Sequence, residues 1–157
     1  MERRTSPDRR NAHRGGRREN DHAGRPVILV VDDHADSREL VAAVLLDAGI
    51  AVAEAATGGD ALLRAWSKPH PHLVLIDLSL PDCHGTDVVR TLKQDARTRD
   101  IPVVALSASV MATDKQRAAE AGCAEFIEKP VIPDAMIGVI RRVLAAAGIS
   151  DRPVTAP

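Results

Sequence analysis

Five polar side chains stand where their chemistry would add up: the acidic pair Asp32-Asp33, then Asp77, Ser107 and Lys129. Three carboxylates held a few ångströms apart repel, and one or more takes up a proton unless something compensates. A divalent cation is one such compensation. Oxygen-only ligands suit a hard ion, and Mg2+ uses few protein carboxylates, keeps several waters and shares its remaining positions with phosphate. A lysine nearby supplies a point charge for a phosphoryl oxygen, and a serine hydroxyl donates to another. Such a set accepts phosphate, with one carboxylate placed as a nucleophile. Taken singly, each residue has a plainer explanation. An acidic pair caps helices, Asp77 after LVLI suits a turn, and Lys129 before a proline suits a surface. Only convergence in space makes a site.

Convergence is a matter of the elements. From Pro26 onward, short apolar runs alternate with helical patterns. Val27–Val31 is continuous, β-branched and bounded by Pro26 and Asp32, the pattern of a strand buried on both faces. A helix capped by Ser37 runs to about residue 48, with Leu40, Val41, Val44 and Leu45 at helical spacing and Gly49 as its stop. Ala51–Ala55 reads as a weaker second strand. Thr57 or Gly58 opens the next helix, which presents Ala61, Leu62, Ala65 and Trp66 on one face and ends at Pro69 and Pro71. Leu73–Asp77 is a third strand, followed by a loop shaped by Pro81 and Gly85 and a helix over 86–94. A fourth strand over 102–108, a helix over 113–121 closed by Gly122, a short strand Glu125–Glu128 and a last helix over 134–147 complete the series. That last helix buries Met136, Ile137, Ile140, Val143 and Leu144.

Strands and helices in strict alternation make an α/β fold with a mostly parallel sheet and helices on both faces. Ligands then bind beyond the carboxyl ends of the strands, at the switch point in strand order. Asp32-Asp33, Asp77, Ser107 and Lys129-Pro130 stand at or beside the ends of strands one, three, four and five. Winding therefore gathers them into one crevice.

The runs VILVVDD, LVLIDLSLPDCHG, VVALSA and EFIEKPV occur in this order, each at a predicted strand end. Together they resemble the receiver domain of two-component response regulators, over about residues 26–147. The resemblance implies a doubly wound (βα)5, flavodoxin-like fold with strand order 2-1-3-4-5. It implies that Asp77 is the phosphoacceptor, served by a histidine kinase or a histidine phosphotransfer protein. It implies a Mg2+ site made by Asp33 directly, Asp32 through water, Asp77, and the backbone carbonyl of Ser79. Ser107 matches the hydroxyl that follows the phosphoryl group, Lys129 the lysine that pairs with it, Phe126 the aromatic switch, and Lys129-Pro130 a bond usually cis. Two departures matter. Ser107 stands where threonine is commoner, so the donor remains but the rotamer-limiting methyl is gone. Phe126 stands where tyrosine is frequent, so the ring has no hydroxyl to offer outside. Ser79 and Ser109, small residues two places past Asp77 and Ser107, imply moderate persistence of the phosphoryl group.

Composition sets the outer bounds. At 157 residues, with 45% apolar and 27% charged, the chain suits one soluble core. Trp66 and Phe126 are its only aromatic residues. No apolar run approaches the roughly 20 residues of a membrane span, and no apolar stretch follows the Arg-rich start as in a secretory leader. A cytoplasmic setting is expected. Cys83 and Cys123 form no C-x-x-C, so free thiols are expected rather than a disulfide or zinc site. His34, His70, His72 and His84 read as surface residues, His84 near the acceptor loop. Neither G-x-G-x-x-G nor G-x-x-x-x-G-K-[ST] is present.

Residues 1–25 hold eight arginines against four acids, a charge of +4, whereas the remainder carries −5. The segment lacks Val, Ile, Leu and Phe and reads as a disordered extension, with residues 148–157 as a flexible tail. About ten residues after the last helix leave no room for an output domain such as a helix-turn-helix. The chain is therefore expected to be a stand-alone regulator, monomer or weak homodimer, with a downstream protein target and no direct DNA binding by the receiver. It is not expected to be an enzyme beyond Mg2+-dependent self-phosphorylation and autodephosphorylation. Two alternatives are a phosphate-independent binding module and a small aspartyl-nucleophile phosphatase. The second usually needs an aspartate where Ser79 stands.

Overall fold

A computed structural model of the chain describes residues 24–109 and 111–150. Most of the Arg-rich extension expected over 1–25, and most of the tail expected over 148–157, lie outside the described residues. The elements are β1 (Val27–Val31), α1 (Ala35–Asp47), β2 (Ala51–Ala55), α2 (Gly58–Trp66), β3 (Leu73–Asp77), α3 (Gly85–Gln94), β4 (Val103–Ser107), α4 (Ala112–Ala121), β5 (Glu125–Glu128) and α5 (Pro133–Ala146). One five-stranded sheet has the order β2-β1-β3-β4-β5, and every pairing is parallel. Its order reverses between β1 and β3.

Sequence texture explains the layering. The inner strands VILVV, LVLID and VVALS are buried nearly end to end, whereas the edge strands AVAEA and EFIE are only partly covered. A strand covered by helices on both faces has no solvent side, so its residues need not alternate. Side chains still alternate between faces. Ile28, Val30, Leu73, Leu75, Val104 and Leu106 point to one side and pack with Val41 and Leu45 of α1 and Met136, Ile140 and Leu144 of α5. Leu29, Val31, Val74, Ile76 and Val103 point to the other and pack with Ala61 and Ala65 of α2 and Val88, Val89 and Leu92 of α3. Ala105 joins Leu78 and Ala118 of α4 in a smaller cluster against which Phe126 packs.

Three expectations shift. Helix α1 begins at Ala35 with His34 as its N-cap, not with Ser37. The cause lies upstream: the Asp32 carboxylate accepts the His34 N–H at 2.9 Å, a turn that moves the cap from Ser37 back to His34. Leu40, placed with the buried face by spacing, is 61% exposed, and α1 buries Val41, Ala42 and Leu45 instead. Strand β4 is shorter than expected, because Pro102 has no N–H for the ladder; its carbonyl still accepts the Val74 N–H at 3.0 Å. Two helix ends follow their residue types. The Thr57 hydroxyl accepts the Asp60 N–H at 3.1 Å at the start of α2, and Gly122, at φ +114°, closes α4 in the left-handed conformation. Among the described residues no helix is long and apolar enough to cross a membrane.

Candidate functional site

The register of the sheet puts the ends of the inner strands level. Val31 pairs with Ile76, Asp77 with Leu106, and Ser107 with Glu128. The ladder continues one step beyond, with Asp32 N–H bonded to the Ala55 carbonyl and Lys129 N–H to the Ser107 carbonyl. Asp32, Asp77, Ser107 and Lys129 thereby stand at one edge of the sheet, over the reversal in strand order. Asp32, Asp77 and Ser107 are the buried polar residues of this edge, at 0%, 5% and 7% exposure.

Lysine and carboxylates meet directly. Lys129 Nζ lies 2.5 Å from Asp77 Oδ2 and 3.2 Å from Asp32 Oδ2, across 52 and 97 residues of chain. Asp77 Oδ1 accepts the Ser79 N–H at 2.9 Å, and Ser107 Oγ accepts the Ser109 N–H at 3.1 Å. Asp33 is exposed beside them. One ligand atom from each of Asp32, Asp33, His34 and Asp77 falls within 4.8 Å of all the others. Two buried carboxylates, an exposed third and one lysine leave excess negative charge, and oxygen donors at this spacing fit a hard divalent cation.

The charges respond to this packing. Burial pushes the Asp32 carboxyl up, but the His34 N–H, the Ser37 hydroxyl and the Lys129 ammonium outweigh it and hold Asp32 below its ordinary value. Burial pulls the Lys129 ammonium down, but the hydrogen bond and charge of Asp77, with those of Asp32, hold it above its ordinary value. Both groups therefore remain ionised at neutral pH.

Neighbouring loops brace the site. Arg38 donates to the Asp32 carbonyl at 2.8 Å and to Glu54 at 3.1 Å. After β3 the chain folds back, with a single antiparallel bridge from Ser79 to His84 and the Gly85 N–H on the Leu78 carbonyl at 2.8 Å. A Cβ on Gly85 would come 2.7 Å from both the Asp77 carbonyl oxygen and Leu78 Cα, which is why glycine stands there. Asp82 ties the loop to α2, its two carboxylate oxygens accepting the N–H groups of Gly58 and Gly59 at 2.9 and 3.0 Å. His84 caps α3 by accepting the Thr86 N–H at 3.3 Å. Reading by residue type missed Arg38 and Asp82; Asp82, between a proline and a helix start, carried only the signal of a turn.

The remaining candidates fall where the fold puts them. Phe126 lies two residues before Glu128 on β5, half-buried, with Lys115 Nζ 5.8 Å from its ring centre. Lys115 also pairs with Glu128 at 2.6 Å, bridging α4 and β5. Lys129-Pro130 is cis, as is Lys68-Pro69. Cys83 and Cys123 are free thiols, and burial pushes Cys123 up to about 11. Trp66 packs half-buried under the Arg97 guanidinium, 5.2 Å away. A groove of about 460 Å³ between α1 and α5, lined by Val44, Pro133 and Ile137 among others, touches none of the site residues.

Comparison with known proteins agrees with this architecture. Residues 28–141 match the model of the response regulator receiver domain. The phosphate regulon transcriptional regulatory protein PhoB of Klebsiella pneumoniae is 38% identical over 117 residues, which is 74% of this chain and 51% of PhoB. The chain thus spans about half the length of that relative. The polar-differentiation response regulator DivK of Brucella ovis is 32% identical over 120 residues, 76% of this chain and 97% of DivK. The chemotaxis protein CheY4 of Vibrio cholerae superposes with a TM-score of 0.72 at 27% identity, covering 76% of this chain and 99% of CheY4. With the expected strand order and a family match across most of its described length, the chain belongs to the receiver domains of two-component response regulators.

Proposed function

We propose that the chain is a single-domain response regulator that takes a phosphoryl group onto Asp77 from a histidine kinase or a histidine phosphotransfer protein. One observation carries this reading: a single ammonium, Lys129 Nζ, bridges Asp77 and Asp32 at 2.5 and 3.2 Å at the mouth of the crevice. In the transfer, an Asp77 carboxylate oxygen attacks phosphorus while the bond from phosphorus to the donor's imidazole nitrogen breaks, and the electron pair returns to that nitrogen. Lys129, held charged by its two acids, is placed to follow the incoming phosphoryl oxygens. Asp32, Asp33, Asp77 and the Ser79 carbonyl would hold a magnesium ion, which when bound supplies charge to those same oxygens. Asp82, through Gly58 and Gly59, keeps the acceptor loop in place during the exchange.

The output follows from the hydroxyl and the ring. A phosphoryl group on Asp77 draws the Ser107 hydroxyl inward, which frees space beside β4 and biases Phe126 toward burial. Inward movement takes the ring from under Lys115, and with it one of the contacts that join α4 to β5. The surface of α4, β5 and α5 then presents a changed face to a protein partner, with a coupling on the order of 1–3 kcal/mol. Ser79 and Ser109 leave water some access, so the acyl phosphate has a moderate lifetime.

Incubation with acetyl phosphate and Mg2+, followed by intact mass, tests the chemistry. Wild type is expected to gain a single addition of about 80 Da, absent in Asp77→Asn. A wild-type protein that gains nothing, or a variant that gains the same mass, overturns the assignment. An addition that survives many hours after desalting contradicts the lifetime.

A further inference from the structure

We propose that His34 adds a nitrogen ligand to the metal site and shifts its preference from Mg2+ toward borderline divalent ions such as Co2+ and Zn2+. The inference rests on the reading of Asp32, Asp33 and Asp77 as that site. His34 Nδ1 lies 3.1 Å from Asp33 Oδ1 and 3.5 Å from Asp32 Oδ1. Two ligands at right angles on one ion, with bonds of about 2.1 Å, stand about 3 Å apart. The imidazole nitrogen and the carboxylate oxygens are thus already spaced as neighbours on one cation.

The ring is held by the acids themselves and not by a capping role. His34 is the N-cap of α1, yet its side chain makes no capping bond there. His84, at the same position of α3, does accept a helix N–H. The His34 backbone N–H is tied to Asp32 Oδ1 at 2.9 Å, which brings the ring to the acids, and the side chain is 73% exposed, so burial does not hold it. Imidazole adds little for Mg2+, which prefers oxygen and water, but it favours the later first-row ions and zinc. An all-oxygen site that gains one imidazole changes selectivity more than overall affinity for magnesium.

Calorimetric titration of the purified full chain with MgCl2 and, separately, with CoCl2 tests this in wild type and His34→Ala. The variant is expected to lose about tenfold or more in Co2+ affinity, the scale on which metal sites feel a lost contact. Its Mg2+ affinity is expected to move less than about twofold, since hard ions gain little from imidazole. In nitrogen-15 spectra the His34 Nδ1 resonance is expected to move on Zn2+ addition and to stay put with Mg2+. Equal losses for both ions, no loss for either, or an unmoved Nδ1 resonance overturns the inference and leaves the magnesium site standing. Co2+ binding retained in Asp33→Asn would place the ion elsewhere and also overturn it. A wild-type chain that binds neither ion overturns the underlying site as well.

Discussion

Asp32 and Lys129 carry opposite signs of the same linkage. Asp32 sits below its ordinary value, so its contribution to stability is present above about pH 3.9, the unfolded value, and is lost as pH falls through the folded one. Asp32→Asn removes that contribution. Its urea midpoint is therefore expected to decline less steeply than that of wild type between about pH 5 and pH 2; parallel curves would refute it. Lys129 sits above its ordinary value, so its contribution is complete below about pH 10.4 and is lost as pH rises through the folded value. At neutral pH both are in force. Lys129→Met leaves Asp32 and Asp77 facing each other with no cation between them, an expected loss of about 1–3 kcal/mol in urea denaturation at pH 7. Added Mg2+ is expected to restore more stability to this variant than it adds to wild type, because it replaces a missing charge rather than joining one.

At the scale of elements, the loop between β3 and α3 holds the acceptor residue by backbone fit. Gly85 leaves no room for a Cβ against the Asp77 carbonyl and Leu78 Cα, both of them backbone and slow to give way. Gly85→Ala is expected to cost about 1–3 kcal/mol by overpacking, and to slow phosphorylation of Asp77 because the same carbonyl must shift. A thermal midpoint unchanged from wild type would sink this. The inner strands were legible in the sequence because an apolar run between a proline or turn and a polar residue has one plain meaning. Helix starts were less so. Histidine ranks low among caps, yet His34 and His84 both hold the N-cap position, placed there by a turn from Asp32 and by the fold-back at Ser79. Leu40 had the right spacing and the wrong side, since one residue around a helix turns a side chain by about 100°. Arg38 and Asp82 were hidden for another reason. Each acts through a partner brought close only by tertiary folding, Glu54 and the N–H groups of Gly58 and Gly59.

Across the whole molecule, the two apolar layers hold β1 and β3 side by side, and the charge at their ends opposes that arrangement. Mutual repulsion of Asp32, Asp33 and Asp77 is only partly relieved by Lys129. A ligand that binds this edge of the folded sheet and not the unfolded chain stabilises the fold as a unit, through mass action. Mg2+ at a hundred times its dissociation constant is worth about 2.7 kcal/mol, and about 2–4 °C per kcal/mol in a chain of this size predicts a thermal midpoint higher by about 5–10 °C. Asp33 is the residue on which to test it. It is exposed, takes no part in the apolar layers, and pairs through its carboxylate with His34, so Asp33→Asn removes a ligand without opening the core. The rise is expected to vanish in Asp33→Asn while the metal-free midpoints of variant and wild type stay within a few degrees. An equal rise in both proteins would mean that magnesium stabilises the chain from somewhere other than the ends of β1 and β3.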